Sequence, residues 1–330
     1  MANILITGGL GFVGANLIPR LAKNHTIIAL DHGNPAYGTE LTQAREDAIR
    51  AHASVFRTDI LDAETLGNLF PIGSLDLIIH LAAWPGVRAS LQQQEDYFRN
   101  NVVASQRVLS LASHHKIPSI MASSSSVYGD LGQYKACAEE DASGQGLRSP
   151  YAVSKWITES WYETVATTLP PVLFVRPFTL YGPLGRPDMA YFSFARRILH
   201  GQPIRVFGSL DAQRDFTFIA DAVHYLSELT EALLTNPIDT LNHFKLESGK
   251  AVVNICNGQP QRLTSLVEIL ASALNTKPNV EYLPRSNLDL RGTFGCPRKL
   301  HSLVEPRTTP FEAGLQEFCR WLIASEGTTE

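Results

Sequence analysis

Three glycines spaced three residues apart, Gly8, Gly11 and Gly14, stand directly after a β-branched apolar run, Asn3–Thr7 (NILIT), in the stretch TGGLGFVG. No other feature of the chain constrains its fold as tightly. A strand that turns at once into a helix needs backbone freedom that glycine supplies without steric penalty. Where that helix must approach a pyrophosphate, a Cβ is in the way, while the N–H groups and partial positive charge of the helix start attract the anion. A bare glycine pattern is weak, but its position after a first strand and at the opening of a helix makes it a phosphate-binding turn. The stretch therefore predicts that Gly8, Gly11, Phe12, Val13 and Gly14 cradle a dinucleotide.

The rest of the first half supplies the matching scaffold. Thr26–Leu30, Ser54–Thr58, Leu75–Leu81, Ser119–Ser124 and Val172–Pro177 read as strands, several of them apolar on both faces. Helical patterns lie between them at Gly11–Lys23, Ala63–Phe70, Glu95–His114 and Pro150–Thr168. Such alternation predicts an α/β fold, a doubly wound (Rossmann) parallel sheet. Asp31 ends the second strand, where a carboxylate accepts from the adenosine ribose hydroxyls. No Arg or Lys follows closely to meet a 2′-phosphate, so NAD is favoured over NADP. Asp59 and Ile60, after the third strand, are placed to bracket the adenine.

Beyond Pro177 the texture changes. Turn-formers cluster in YGPLGRPD, and helical patterns run over Met189–His200, Ala220–Leu234 and Leu263–Asn275, with a short strand at Ile204–Phe207. This reads as a smaller mixed α/β C-terminal substrate domain. The division is 1–177 for the nucleotide-binding domain, with a return segment near 216–245, and 178–330 for the substrate domain. A net charge of −4 argues against a nucleic-acid surface, and no apolar stretch is long enough to span a bilayer. MANILITGG enters a strand at once, which leaves no room for a secretion leader. The four cysteines, Cys137, Cys256, Cys296 and Cys319, are scattered without a CxxC pair. That fits the cytoplasm and suggests neither a disulfide frame nor a metal site.

Tyr151 and Lys155, in SPYAVSK, lie four residues apart on one face of a helix. Alone, such a pair is most simply packing. In order along the chain, however, stand the glycine loop, Asp31, His80-Leu81-Ala82-Ala83, SSSSVYG (Ser123–Gly129) and Tyr151-x-x-x-Lys155. Together these resemble an extended short-chain dehydrogenase/reductase of the nucleotide-sugar epimerase and dehydratase group, over essentially the whole chain. The resemblance implies that Tyr151 and Lys155 are the catalytic pair, with Ser124, or its neighbours Ser125 and Ser126, on the sugar hydroxyl. It also implies that Leu81, Ala82, Ala83 and Asn101 join the cofactor site. WPGVRAS (Trp84–Ser90), RPFTLYGP (Arg176–Pro183), GRPDMA (Gly185–Ala190) and RDFT (Arg214–Thr217) look most like the UDP-glucuronate 4-epimerase branch. Two departures stand out. Trp84-Pro85 replaces a smaller, less rigid pair, and Gln213 stands where an Arg is frequent.

The resemblance implies a UDP-sugar substrate whose C4 is oxidised to a ketone with tightly held NAD and then reduced on the other face. Tyr151 would take the O4 proton. A free Tyr titrates near ~10, so Lys155 and the nicotinamide charge are expected to favour the phenolate. A 4-keto glucuronate is a β-keto acid, and an epimerase must hold its carboxylate out of line with the carbonyl. The rigid fork of an Arg suits that task. Arg186 is the first candidate and Arg88 its support. Arg214, Arg291 and Asp289 would frame the UDP, and Thr179 the sugar. Ser124-Ser125-Ser126 lack the Thr-Asp-Glu of the 4,6-dehydratases and the Ser-Glu of the decarboxylases. Neutral UDP-hexose epimerisation shares the machinery and stays open. A non-catalytic NAD-binding regulator would be expected to have lost Tyr151 or Lys155. Glu95–His114 and Pro150–Thr168 carry apolar residues around their circumference, Trp156 and Trp161 among them, and the resemblance implies a homodimer through a four-helix bundle.

Overall fold

The computed structural model describes residues 1–34, 37–62, 74–133, 135–165, 170–246, 250–284 and 292–327. Six strands from the first half, β1 (Asn3–Thr7), β2 (Thr26–Asp31), β3 (Ser54–Arg57), β4 (Leu77–His80), β5 (Ser119–Ala122) and β6 (Val172–Pro177), join a late strand, Ala251–Ile255. They form one seven-stranded sheet in the order β3-β2-β1-β4-β5-β6 and then Ala251–Ile255. Every neighbouring pair is parallel. The strand order reverses between β1 and β4, so a crevice opens beyond their carboxyl ends, the place where ligands bind in open α/β sheets.

Side chains alternate across the sheet, so each strand feeds two cores. Ile4, Ile6, Ile79, Leu173, Val175 and Val253 point to one face. There helix α1 (Phe12–Leu21) packs with Ile219–Thr235. Leu5, Ile78, Phe174 and Val252 point to the other, among Val108, Leu109 and Tyr162 of the covering helices. This two-sided burial is why β1 and β4 are unbroken apolar runs rather than alternating ones.

Three elements differ from expectation, and one cannot be compared. Thr39–Ile49 is a helix, α2, of which only Arg45 and Ile49 are buried; it has no apolar stripe to reveal it. The helix expected at Glu95–His114 is α3 (Gln94–Phe98), a π-helical segment Arg99–Val103, and α4 (Ala104–His115). Ala251–Ile255 extends the sheet beyond β6, a long-range pairing with no local signal. The helix expected at Ala63–Phe70 lies outside the described residues.

The C-terminal region is built from paired short strands. Thr179–Tyr181 runs parallel to Phe216–Phe218, Ile204–Phe207 parallel to Val280–Leu283, and Gln213–Arg214 antiparallel to Gln261–Arg262. An aromatic core of Tyr181, Tyr191, Phe216, Phe218, Phe311 and Phe318 joins them to the helices. Asp215 is fully buried and accepts N–H bonds from Asn257, Gly258 and Gly295. It thereby pins two loops, at 257–258 and at 295, to its own strand region.

Candidate active site

The glycine turn sits at the carboxyl end of β1. Gly8 has φ +75°, and a Cβ there would lie 2.6 Å from the Ala82 backbone nitrogen, so β1 can approach the loop after β4 only as glycine. A Cβ on Gly14 would run into the Gly8 carbonyl, so only glycine lets α1 fold back onto the turn. Gly11 is the N-cap of α1 and brings no side-chain cap. The first N–H groups of the helix are therefore left to an external acceptor, as the pyrophosphate of NAD would be. Phe12 is buried beneath the turn and Val13 is half-buried, so their share in binding is through backbone.

Asp31 does two things at once. Its Oδ2 accepts from Leu10 N at 3.0 Å and its Oδ1 from Gly33 N at 2.9 Å. The carboxylate thus braces the glycine turn, and its remaining lone pairs can accept ribose hydroxyls. The β2–β3 register brings Arg57 opposite Asp31, a cation that the linear sequence did not place there. Glu46 of α2 pairs with it, which opposes its use for a 2′-phosphate. Asp59 Oδ1 caps the next turn through Leu61 N, and Ile60 is buried. Leu81, Ala82 and Ala83 line the loop after β4, and Leu81 N donates to Thr7 O.

Asn101 stands where the helix between α3 and α4 is interrupted. It is fully buried in the π segment. Its Oδ1 accepts from Trp84 N at 2.7 Å, and its Nδ2 donates to Trp84 O and Ser154 Oγ. This bridge holds the Trp84-Pro85 loop against α5 (Pro150–Val165). Tyr97 completes the floor. Its hydroxyl donates to Pro85 O, and its ring packs edge-on against both Trp84 and Tyr151.

Helix α5 starts with Ser149 as N-cap, its Oγ accepting from Ala152 N, and Pro150 follows in the first turn. This start aims Tyr151 and Lys155 at the end of β5. Lys155 Nζ donates to Ala122 O at 2.8 Å. Burial lowers the lysine to about 8, opposed by the charge of Glu159. Tyr151 stands above its ordinary value because of burial, with a hydrogen bond to Ser124 and the charge of Arg186 acting the other way. The expected lowering by Lys155 is thus absent here. Ser124 Oγ also accepts from Ser126 N and donates to Ser126 Oγ at 3.0 Å, so it caps the Ser125–Tyr128 turn and meets the phenol with one hydroxyl. Ser125 and Ser126 are half-buried beside it.

A buried polar network lies beneath the pair. Glu159 is the next residue on the face of Tyr151 and Lys155, and its carboxylate takes both Nε and Nη2 of Arg176, at 3.0 and 2.6 Å. Ser123 Oγ and Lys250 Nζ reach it as well. Burial raises Glu159, but the surrounding cations outweigh that and hold it at about 2. Arg176 passes on to Tyr128 and the Glu139 carbonyl. Consecutive residues Ala122 and Ser123 therefore lock Lys155 and Glu159 just before Ser124. The spacing of Glu159, four residues after Lys155, is a signal that sequence reading passed over. His80, neutral and pushed to about 3 by burial and Lys155, links β1 to Ser105 at the start of α4. Ser105 Oγ donates to Asn101 O, so it must accept from His80 Nε2, and Nδ1 accepts from Thr7.

The arginines separate. Arg186 lies close enough to act on Tyr151 electrostatically. Its turn is anchored by the nucleotide-binding half: Asn16 of α1 donates to Pro183 O, and buried Arg45 of α2 donates to Leu184 O and Gly185 O. Arg88 is instead exposed, its guanidinium 4.0 Å from the centre of the Phe207 ring. It thus stacks on the C-terminal region. Arg214 borders its short strand and donates to Gln213 O. Thr179 N donates to Asp215 O at the start of its strand. Asp289 and Arg291 lie outside the described residues. Among the described residues, no group of His, Cys, Asp and Glu is arranged to hold a metal ion.

Comparison with known proteins agrees with this architecture. Residues 4–239 match the model of the NAD dependent epimerase/dehydratase family. UDP-glucuronate 4-epimerase 1 of Arabidopsis thaliana is 31% identical over 98% of this chain and 77% of its own. A probable UDP-glucuronate 4-epimerase of Rhizobium meliloti is 32% identical over 96% of each chain. The crystal structure of UDP-glucuronic acid 4-epimerase from Bacillus cereus, in complex with UDP-glucuronic acid and NAD, superposes with a TM-score of 0.84 at 26% identity. That match covers 98% of this chain and 99% of the other.

Proposed function

Because the chain belongs to the NAD dependent epimerase/dehydratase family, we propose that it interconverts UDP-glucuronate and UDP-galacturonate by inverting C4 through a 4-keto sugar. One observation carries the reading. Beside the carboxyl end of β5, the Tyr151 phenol hydrogen-bonds to Ser124 and lies within reach of the Arg186 charge. An acid–base group and a candidate carboxylate-binding group thus stand close together. The relatives named above carry the same activity in their names.

Gly8, Gly11, Gly14 and Asp31 would hold NAD, which when bound supplies the acceptor and donor of the C4 hydride. Tyr151 takes the O4 proton and returns it. Ser124 keeps O4 in line with the phenol, and Lys155, held by Ala122 O, places a positive charge behind it. Trp84, Pro85 and Tyr97 form the floor under the ring. Arg186 holds the C5 carboxylate, out of line with the C4 carbonyl, so that CO2 is retained. Arg88, with Phe207, and Arg214 frame the UDP, as do Asp289 and Arg291. Thr179 faces the sugar. The boundary between nucleotide and substrate domains falls near residue 177, and Ile219–Thr235 belongs with the former.

The protein works as a homodimer in the cytoplasm. Leu91, Phe98 and Val153 are exposed large apolar side chains on or beside α3 and α5, and all four cysteines are free. Epimerisation of neutral UDP-hexoses is the second reading, favoured by the pairing of Arg186 with Asp188. The deciding experiment is proton NMR of the protein with UDP-glucuronate and NAD. Growth of UDP-galacturonate without net NADH supports the proposal. A UDP-pentose would make the chain a decarboxylase, and turnover of UDP-glucose alone would favour the second reading.

A further inference from the structure

Arg186 does not offer an open fork. Its Nε donates to Asp188 Oδ1 at 3.1 Å and its Nη2 to Oδ2 at 2.6 Å. This is the parallel two-bond arrangement that a guanidinium gives to any carboxylate. Burial works against the charge of Arg186, and Asp188 and Tyr37 more than offset it. The Tyr37 hydroxyl hydrogen-bonds to both partners, and the guanidinium carbon lies 5.9 Å from the centre of its ring. Arg45 and Asn16 fix the turn itself through backbone carbonyls. The two partners are unequally held. The Arg186 side chain is 21% exposed and that of Asp188 is 41% exposed. Asp188 is the partner on the solvent side.

We propose that Asp188 is an internal stand-in for the sugar's carboxylate. It occupies the Nε/Nη2 edge of Arg186 between turnovers, is displaced when an acid-bearing sugar nucleotide binds, and so moderates the affinity for acidic sugars while leaving that for neutral ones unchanged. This rests on the reading of Arg186 as the group that receives the C5 carboxylate. The physical reason is that a guanidinium half-removed from water is costly without an anion. Two carboxylates on one guanidinium would repel each other in the same surroundings. The incoming acid must therefore replace Asp188 rather than join it. Replacement of like by like leaves little net gain in affinity, while the fork still fixes the orientation of the new carboxylate. Acidic substrate and product are then oriented without being trapped. A neutral hexose leaves Asp188 where it is.

The test is calorimetric titration of the NAD-loaded protein with UDP-glucuronate, UDP-glucose and UDP, in a Tyr151→Phe background that leaves the sugars unconverted. Asp188→Asn removes the competing charge and keeps the shape. UDP-glucuronate should bind about tenfold more tightly, equivalent to ~1.4 kcal/mol, while UDP-glucose and UDP change less than twofold. Asp188→Ser is the second variant, and an unchanged UDP affinity certifies a folded site in each. Equal or weaker binding of UDP-glucuronate would show that Asp188 only orients Arg186 and would overturn the proposal. Turnover by the parent protein separates this from failure of the functional reading. A parent that converts UDP-glucose alone overturns both, whereas one that converts UDP-glucuronate while Asp188→Asn gains nothing overturns the stand-in alone.

Discussion

At the scale of single residues, the chemistry hangs on a phenol and an ammonium that burial drives in opposite directions. Tyr151 is raised and Lys155 is lowered to about 8. Turnover needs the phenol to give up its proton and the lysine to keep its own. The rate should therefore rise with pH through neutrality and level off above about pH 8, where the loss of charge on Lys155 offsets the further ionisation of Tyr151. Initial rates across pH 6 to 10, taken as ~0.5-unit steps on a scale set by ordinary side-chain pKa values, would check this. A rate that keeps climbing past pH 9 would contradict the role given to Lys155. Tyr151→Phe should keep NAD content and thermal midpoint while losing about 10²–10⁴-fold in turnover, the usual worth of a positioned acid–base group. Near-parental turnover in that variant would remove Tyr151 from the mechanism.

Elements decide where those residues stand. Helix α5 would be an ordinary amphipathic helix without the Ala122–Ser123 clamp on Lys155 and Glu159. The π segment Arg99–Val103 turns Asn101 inward, toward the loop of Trp84. π-bulges of this kind recur at functional sites because the inserted residue redirects a side chain. Asn101→Ala would strand the Trp84 N–H and C=O in a buried setting. A loss of about 1–3 kcal/mol is expected, read as a lower denaturant midpoint, with altered Trp fluorescence reporting the loop itself. An unchanged midpoint would mean that the bridge contributes nothing to the floor of the site.

On the scale of the whole molecule, the two halves meet along the turn that carries Arg186. α1 and α2 of the nucleotide side hold its carbonyls through Asn16 and Arg45. The segments around α3 and α5 bear some of the exposed apolar side chains. Trp156 and Trp161, which first suggested a partner, are accounted for within the chain. Trp156 packs beside Gly144 with Lys250 over its ring, and Trp161 lies against the second core. Leu91, Phe98 and Val153 remain, at 45%, 51% and 40% exposure. Light scattering should give a dimer that Phe98→Lys shifts towards monomer. A monomer in the parent protein at working concentration would leave that face without a partner.

Short-range pattern determined the strands of the first half and the glycine turn with Asp31, because each is written within a few consecutive residues, whereas the Tyr–Lys pair gained its reading only from the order of motifs along the chain. It missed what depends on distant parts of the chain. The seventh strand, Ala251–Ile255, is specified by its pairing with β6. Helix α2 carries no apolar stripe and is held by its docking. Arg57 arrives beside Asp31, and Arg88 over Phe207, through strand register and the meeting of the two halves. The same reason explains Arg186. Its type, a forked cation, was visible in the sequence, but its pairing with Asp188 was settled only in three dimensions, where a desolvated charge must find a counter-charge.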